Sequence, residues 1–264
     1  MSLDREVFYM ANKKKPKRRI RLSILLIPVL VIVLIVGVLF LFNGKSTSKD
    51  GKAYIKKQEA LKVSEITKTL KQKRKDDRKA AIDAGMISVF DLLEDYVFYG
   101  DSRVVGYDVY NYLEPGRVFA AAGHTYLNVE EWDQQLKDYN PSTIIISYGV
   151  NDMGLGLDDI EGGYDGLAKE KIQHILSIVP DAKIYVCTII PCTQVALERS
   201  PNWGNYNRFN EKLKIACDAF EQCTLVETAS LGNGGNAPIY AEDGIHFLSS
   251  FYPTWLQRIV DAMD

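Results

Sequence analysis

The chain has 264 residues, 47% hydrophobic and 25% charged, with a net charge of −2; this is room for one large domain or two small ones, and no internal repeat or low-complexity tract stands out beyond a basic bias near the N-terminus. The near-neutral total conceals a strong asymmetry: residues 1–21 carry +6, residues 45–80 carry +8 and residues 81–264 carry −16. An acidic globular part repels polyanions, so nucleic acid is excluded as its partner.

In chain order, residues 1–21 form a basic tail with Lys13, Lys14, Lys15, Lys17, Arg18, Arg19 and Arg21 clustered at its end. Residues 22–42 follow without a single charge and are dominated by Leu, Ile and Val. At a rise of about 1.5 Å per residue, a helix of this length spans roughly 30 Å, the hydrocarbon thickness of a bilayer. A cleaved signal peptide fits less well, because its apolar region runs only about 7–15 residues and ends at a small-residue cleavage site. Asn43-Gly44-Lys45-Ser46 offers no such site. The expectation is an uncleaved transmembrane helix whose basic flank keeps the N-terminus cytoplasmic and sends the rest outside.

Residues 43–85 read as a charged helical stalk. The stretch 52–84 has no Gly or Pro and only a thin apolar stripe of Val63, Ile66 and Leu70. Such a helix is expected to be a solvated spacer rather than a lipid-binding face.

From residue 86 to residue 264, strand-like runs alternate with helical ones, the mark of a parallel sheet with crossover helices. Strands are expected at Tyr96–Tyr99, Val118–Ala121, Thr143–Ser147, Lys183–Ile190 and Cys223–Glu227, with helices from Ser102, at Val129–Asp138, Tyr164–Ile178 and Tyr206–Phe220, and after Leu248. Cys187, Cys192, Cys217 and Cys223 lack metal-ligand spacing. Outside the cell they allow three full disulfide pairings, and buried free thiols are an equal alternative.

Ligands of open parallel sheets bind where loops leave the carboxyl ends of strands. Four segments fall there: Gly100-Asp101-Ser102, Gly123, Gly149-Val150-Asn151-Asp152 and Asp243-Gly244-Ile245-His246. Ser102 sits at a tight strand-to-helix turn, where the amide field favours developing negative charge. Alone it reads as a helix N-cap, the commoner job of serine. Asp243, three residues before His246, has the spacing to hold one ring nitrogen and leave the other free to take a proton from serine. Asn151 and the Gly123 N–H are suited to donate to an oxyanion, although Gly and Asn are also ordinary turn residues. The convergence of all four segments on one sheet edge favours chemistry over these duller readings.

The blocks G-D-S, the isolated Gly123, G-x-N-D and D-x-x-H resemble those of the SGNH hydrolases, or GDSL esterases, over roughly residues 95–264. The resemblance implies a flavodoxin-like three-layer α/β/α fold with a five-stranded parallel sheet. It also implies a catalytic Ser102, Asp243 and His246, an oxyanion hole of Ser102 N–H, Gly123 N–H and Asn151, no metal, no cofactor and an acyl-enzyme. Two departures stand out: Arg103 replaces the Leu after the nucleophile, and His124 follows Gly123. Arg103 reads equally as a binder of an anionic substrate group or a surface ion pair, and His124 as pocket wall or loop packing. Trp203, in Pro201-Asn202-Trp203-Gly204-Asn205-Tyr206, reads as a sugar platform or as core. Asp101 and Asp152 read as loop braces that accept backbone N–H groups rather than as metal ligands, and His174 as structural.

The function expected is a membrane-anchored, extracytoplasmic esterase acting on small acyl, foremost acetyl, esters of a cell-envelope glycan. An O-acetyltransferase with the same triad, taking acyl groups from an envelope acyltransferase partner, and a non-catalytic glycan-binding scaffold are the alternatives.

Overall fold

A computed structural model describes residue 34, residues 45–59 and residues 63–263. Among the described residues no helix is long and apolar enough to cross a membrane. The expected span at 22–42 lies outside them except for residue 34.

The chain divides into two compact units, Met1–Lys68 and Thr69–Asp264. In the first, α1 (Lys45–Glu59) and the start of α2 (Val63–Asp83) are helices whose Tyr54, Ile55 and Val63 stay exposed. No residue of α2 is buried, which agrees with the thin apolar stripe. The second unit reaches further back than residue 86. Within it, Lys75 Nζ donates to the Asp261 carbonyl at 2.5 Å, and Ile82 packs on the core.

Five strands follow: β1 (Tyr96–Gly100), β2 (Val118–Ala120), β3 (Thr143–Ser147), β4 (Lys183–Cys187) and β5 (Cys223–Val226). All neighbours pair in parallel, in the order β2-β1-β3-β4-β5. The sheet is buried on both faces, so its central strand is a continuous apolar run, Ile144-Ile145-Ile146, with no exposed member. Side chains alternate between the faces. Val97, Tyr99, Ile144, Ile146, Ile184 and Val186 point into one core, while Phe98, Ile145, Tyr185 and Cys187 point into the other.

The first core is covered by α4 (Asp133–Tyr139), α6 (Gly163–Ile178) and α8 (Tyr206–Cys217), through residues such as Leu136, Ile172 and Leu213. The second is covered by α3 (Ser102–Val109) and α9 (Tyr252–Ala262), through Val104, Tyr107, Trp255 and Ile259. This is the three-layer α/β/α arrangement expected. Its strand order reverses between β1 and β3, the point at whose carboxyl edge open α/β sheets have their ligand crevice.

Several boundaries differ from the expectations. The helix placed at Val129–Asp138 is a 3-10 turn at Tyr126–Trp132 running into α4, which ends at Asn140 in the left-handed region (φ 43°), just before Pro141. β4 stops at Cys187 because the Ile189 N–H and C=O are both taken by the side chain of Asn210, at 2.6 and 3.2 Å, in place of a sheet partner. α8 ends at Cys217 rather than Phe220, where a Cys217–Cys223 disulfide turns the chain into β5. Cys187 and Cys192 are buried free thiols. Two short helices lay outside the sequence reading: α5 (Val150–Gly154) and α7 (Gln194–Arg199).

Candidate active site

β1 ends at Gly100, where a Cβ would lie 2.2 Å from Val104 Cγ2 and 2.9 Å from the Ser147 carbonyl. Only glycine lets the chain turn this sharply from strand to helix. Asp101 caps α3, its carboxylate accepting the Arg103 N–H at 2.9 Å. Ser102 is therefore the first helical residue, set in the field of the α3 N-terminus. Burial raises the pKa of Asp101, and the neighbouring Arg103 charge opposes that rise.

The partner loop is framed by an isolated antiparallel bridge between Tyr240 and Phe247. Asp243 Oδ1 accepts the N–H groups of Ile245 and His246, at 2.8 and 2.9 Å, closing a tight turn. Asp243 Oδ2 meets His246 Nδ1 in a short hydrogen bond. The other ring nitrogen, Nε2, lies 2.9 Å from Ser102 Oγ. Gly244 makes the turn feasible: its φ is +71°, and a Cβ there would sit 1.9 Å from Thr193 Oγ1. Burial works to raise the Asp243 pKa, but bonds from the His246 ring and two backbone N–H groups outweigh it and hold the carboxyl at about 2. It stays ionised through the neutral range. The His246 and Asp243 side chains are 46% and 34% exposed, so the pair lies on an open surface.

Across the crevice, Gly123 occupies the third position of a turn closed by the His124 N–H and the Ala121 carbonyl. Its φ of +83° is the left-handed value a type II turn requires there. A Cβ on Gly123 would meet nothing within 4 Å, so its backbone faces open space. Asn151, on α5, donates through Nδ2 to the His124 carbonyl at 2.9 Å. An amide nitrogen carries two hydrogens, so this bond orients the group and leaves one donor. Asp152 is fully buried and accepts the Tyr126 N–H at 3.0 Å. Consecutive side chains of α5 thus grip the 123–126 loop at two points. Burial, with the Asp101 carboxylate adding to it, raises the Asp152 pKa to about 7 against the pull of the Tyr126 N–H.

The expected surface ion pair of Arg103 is not found: the residue is only 4% exposed, and its guanidinium is engaged by interior acceptors rather than by a surface carboxylate. Trp203 is part-buried, packs on the core and commits its indole N–H to the Val150 carbonyl at 3.0 Å, which makes it a strut for α5 rather than a free-standing platform. The His124 ring turns back toward Glu131, 3.5 Å away, and Trp132. His174 pairs with Asp133 at 2.9 Å, a contact that joins α6 to α4, the structural role expected of it. Asp101 and Asp152 both accept backbone N–H groups, the bracing role expected of them. Sequence reasoning missed Arg199, which donates to the Asp243 carbonyl, and the help that Thr193 gives Gly244. Both join segments distant in sequence, and no local pattern marks such contacts. A charge where an apolar residue is the rule after the serine was the one visible signal for Arg103.

Among solved structures, the fold is similar to the lipase/acylhydrolase from Enterococcus faecalis, at 14% identity and TM-score 0.50, covering 65% of this chain and 97% of that one. Looser likenesses are to the catalytic domain of peptidoglycan O-acetyltransferase A from Streptococcus pneumoniae (15%, TM-score 0.44, covering 64% and 90%) and to an acetyl xylan esterase (15%, TM-score 0.45, covering 64% and 99%). No curated protein matches the chain. A sequence model of the GDSL-like Lipase/Acylhydrolase family matches residues 98–252, more than half the chain and a stretch that includes the serine turn and the Asp243–His246 loop. The chain belongs to that family, and it is a serine esterase.

Proposed function

We propose that this esterase is membrane-anchored and extracytoplasmic, and that it removes small acyl groups, acetyl foremost, from cell-envelope carbohydrate with Ser102, His246 and Asp243 as its triad. The observation that carries the reading is the unbroken run of contacts from Asp243 through His246 to Ser102 Oγ at 2.9 Å. His246 Nε2 takes the hydroxyl proton as Ser102 Oγ attacks the ester carbonyl carbon. The oxyanion draws on the N–H groups of Ser102 and Gly123 and the remaining amide hydrogen of Asn151. The intermediate collapses, and the leaving alcohol receives the proton from His246. Water, deprotonated by the same ring, then attacks the acyl-enzyme to release the acid and restore Ser102.

The open setting of the triad suits an ester carried on a polymer, which a deep closed pocket would reject. The Cys217–Cys223 disulfide supports an oxidising compartment outside the cytoplasm. The uncharged run at 22–42 with its basic flank supports the anchor. Ser102→Ala should lower kcat on an aryl acetate by about 10⁴-fold or more. Undiminished turnover in that variant would remove Ser102 from the mechanism. The same exposure admits a sugar hydroxyl in place of water, so the assay also includes an acceptor oligosaccharide: free acid supports the hydrolase, acylated sugar the transferase.

A further inference from the structure

Arg103 is a charged side chain in the interior, adjoining the serine turn. Nε donates to the Ile245 carbonyl at 2.8 Å, Nη1 to the Ile190 carbonyl at 2.6 Å and Nη2 to Cys192 Sγ at 3.3 Å. The guanidinium lies over the Phe247 ring, 4.6 Å from its centroid. Its own backbone is fixed as well, the N–H by Asp101 and the carbonyl by the Tyr252 hydroxyl at 2.9 Å. Removing a cation from water is unfavourable unless its donors are met and its charge is answered. Here two carbonyls, a thiol, an aromatic face and the neighbouring buried Asp101 do this together.

The positions of these contacts in the chain give them meaning. Arg103 follows Ser102; Ile245 precedes His246; Phe247 follows it. The guanidinium therefore binds both neighbours of the imidazole while its backbone is locked to the serine turn. We propose that Arg103 is a positioning residue that sets the Ser102 to His246 distance by bridging the two loops that carry them. This rests on the triad reading above. The site asks for arginine in particular: the planar fork meets several acceptors at fixed angles and stacks on Phe247, whereas lysine is a point charge on a flexible stem. Leucine, the residue the family's name places here, would fill space without spanning the gap. Because the guanidinium faces inward, it acts on the geometry of the reacting pair and does not read the substrate.

The test uses the full-length chain, unchanged and as Arg103→Leu and Arg103→Lys. Its readouts are kcat and KM on a neutral aryl acetate and on an anionic aryl succinate, the rate of fluorophosphonate labelling at Ser102, and the low-field ring N–H resonance of His246. A misplacement of about 1 Å in a reacting group lowers the rate on the order of 10²-fold. Arg103→Leu should lose about that factor in kcat, equally on both esters and with KM unchanged, and should label slowly but to completion at Ser102. Its ring N–H resonance should broaden, and Arg103→Lys should fall between it and the unchanged chain. Wild-type kcat in folded Arg103→Leu overturns the proposal, as does a loss confined to the anionic ester. If Arg103→Leu does not fold, Arg103→Lys decides: wild-type kcat, or failure to fold as well, overturns it, and a lower kcat at constant KM supports it. Absence of labelling in the unchanged chain would sink the triad reading itself, a result separate from any effect of position 103.

Discussion

Asp152 shows how one side chain ties stability to site geometry. Its Oδ1 anchors the Tyr126 N–H, and Oδ2 is buried without a hydrogen-bond partner among the described residues. A carboxyl held near 7 in the folded chain and near 4 in the unfolded one binds more proton when folded throughout that window. Stability from this group is therefore full below the unfolded value, declines by about 1.4 kcal/mol per pH unit as pH rises, and levels off above the folded value. Asp152→Asn keeps an acceptor for Tyr126 but does not titrate. Its stability relative to the unchanged chain should climb between about pH 4 and 7 and then flatten, as read by denaturant unfolding at several pH values; a difference independent of pH would refute the shift. The bracing role was legible in the sequence, since a carboxylate beside a Gly-Asn turn has backbone N–H groups in reach. The inward course of Arg103 was not, because its acceptors Ile190 and Ile245 lie 87 and 142 residues away.

At the level of elements, α3 is bound to α9 by close contact rather than by charge. A Cβ at Gly106 would lie 1.8 Å from the Tyr252 hydroxyl, the group that bonds the Arg103 carbonyl. Gly106→Ala should therefore destabilise the fold by about 1–3 kcal/mol, by overpacking and by displacing that hydroxyl, measurable as a lower denaturant midpoint. An unchanged midpoint would mean that Tyr252 moves freely. Strand cores were readable because apolar runs such as Thr143–Ser147 belong to a sheet covered on both faces. Strand ends were less so: Ile189 and Ile190 look like β4, yet the Asn210 side chain intercepts the backbone there. α5 and α7 are too short, at 5 and 6 residues, to display a helical period.

For the whole molecule, the Cys217–Cys223 link closes a loop of sequence separation 6 between α8 and β5. A loop this short restricts the unfolded chain by about 2 kcal/mol. Mild reduction should lower the unfolding midpoint accordingly while leaving esterase activity at low temperature intact, because neither cysteine touches the crevice; an unchanged midpoint would indicate that the link adds nothing. The carboxyl edge of the sheet bears Ser102, Gly123, Asn151 and the Asp243–His246 loop, while the amino edge holds the turns before β4 and β5, with exposed Asp181, Glu221 and Gln222. This polarity leaves the amino edge clear of the chemistry. A fluorophore or affinity handle grafted at Asp181 would report on the enzyme while its working end stayed untouched.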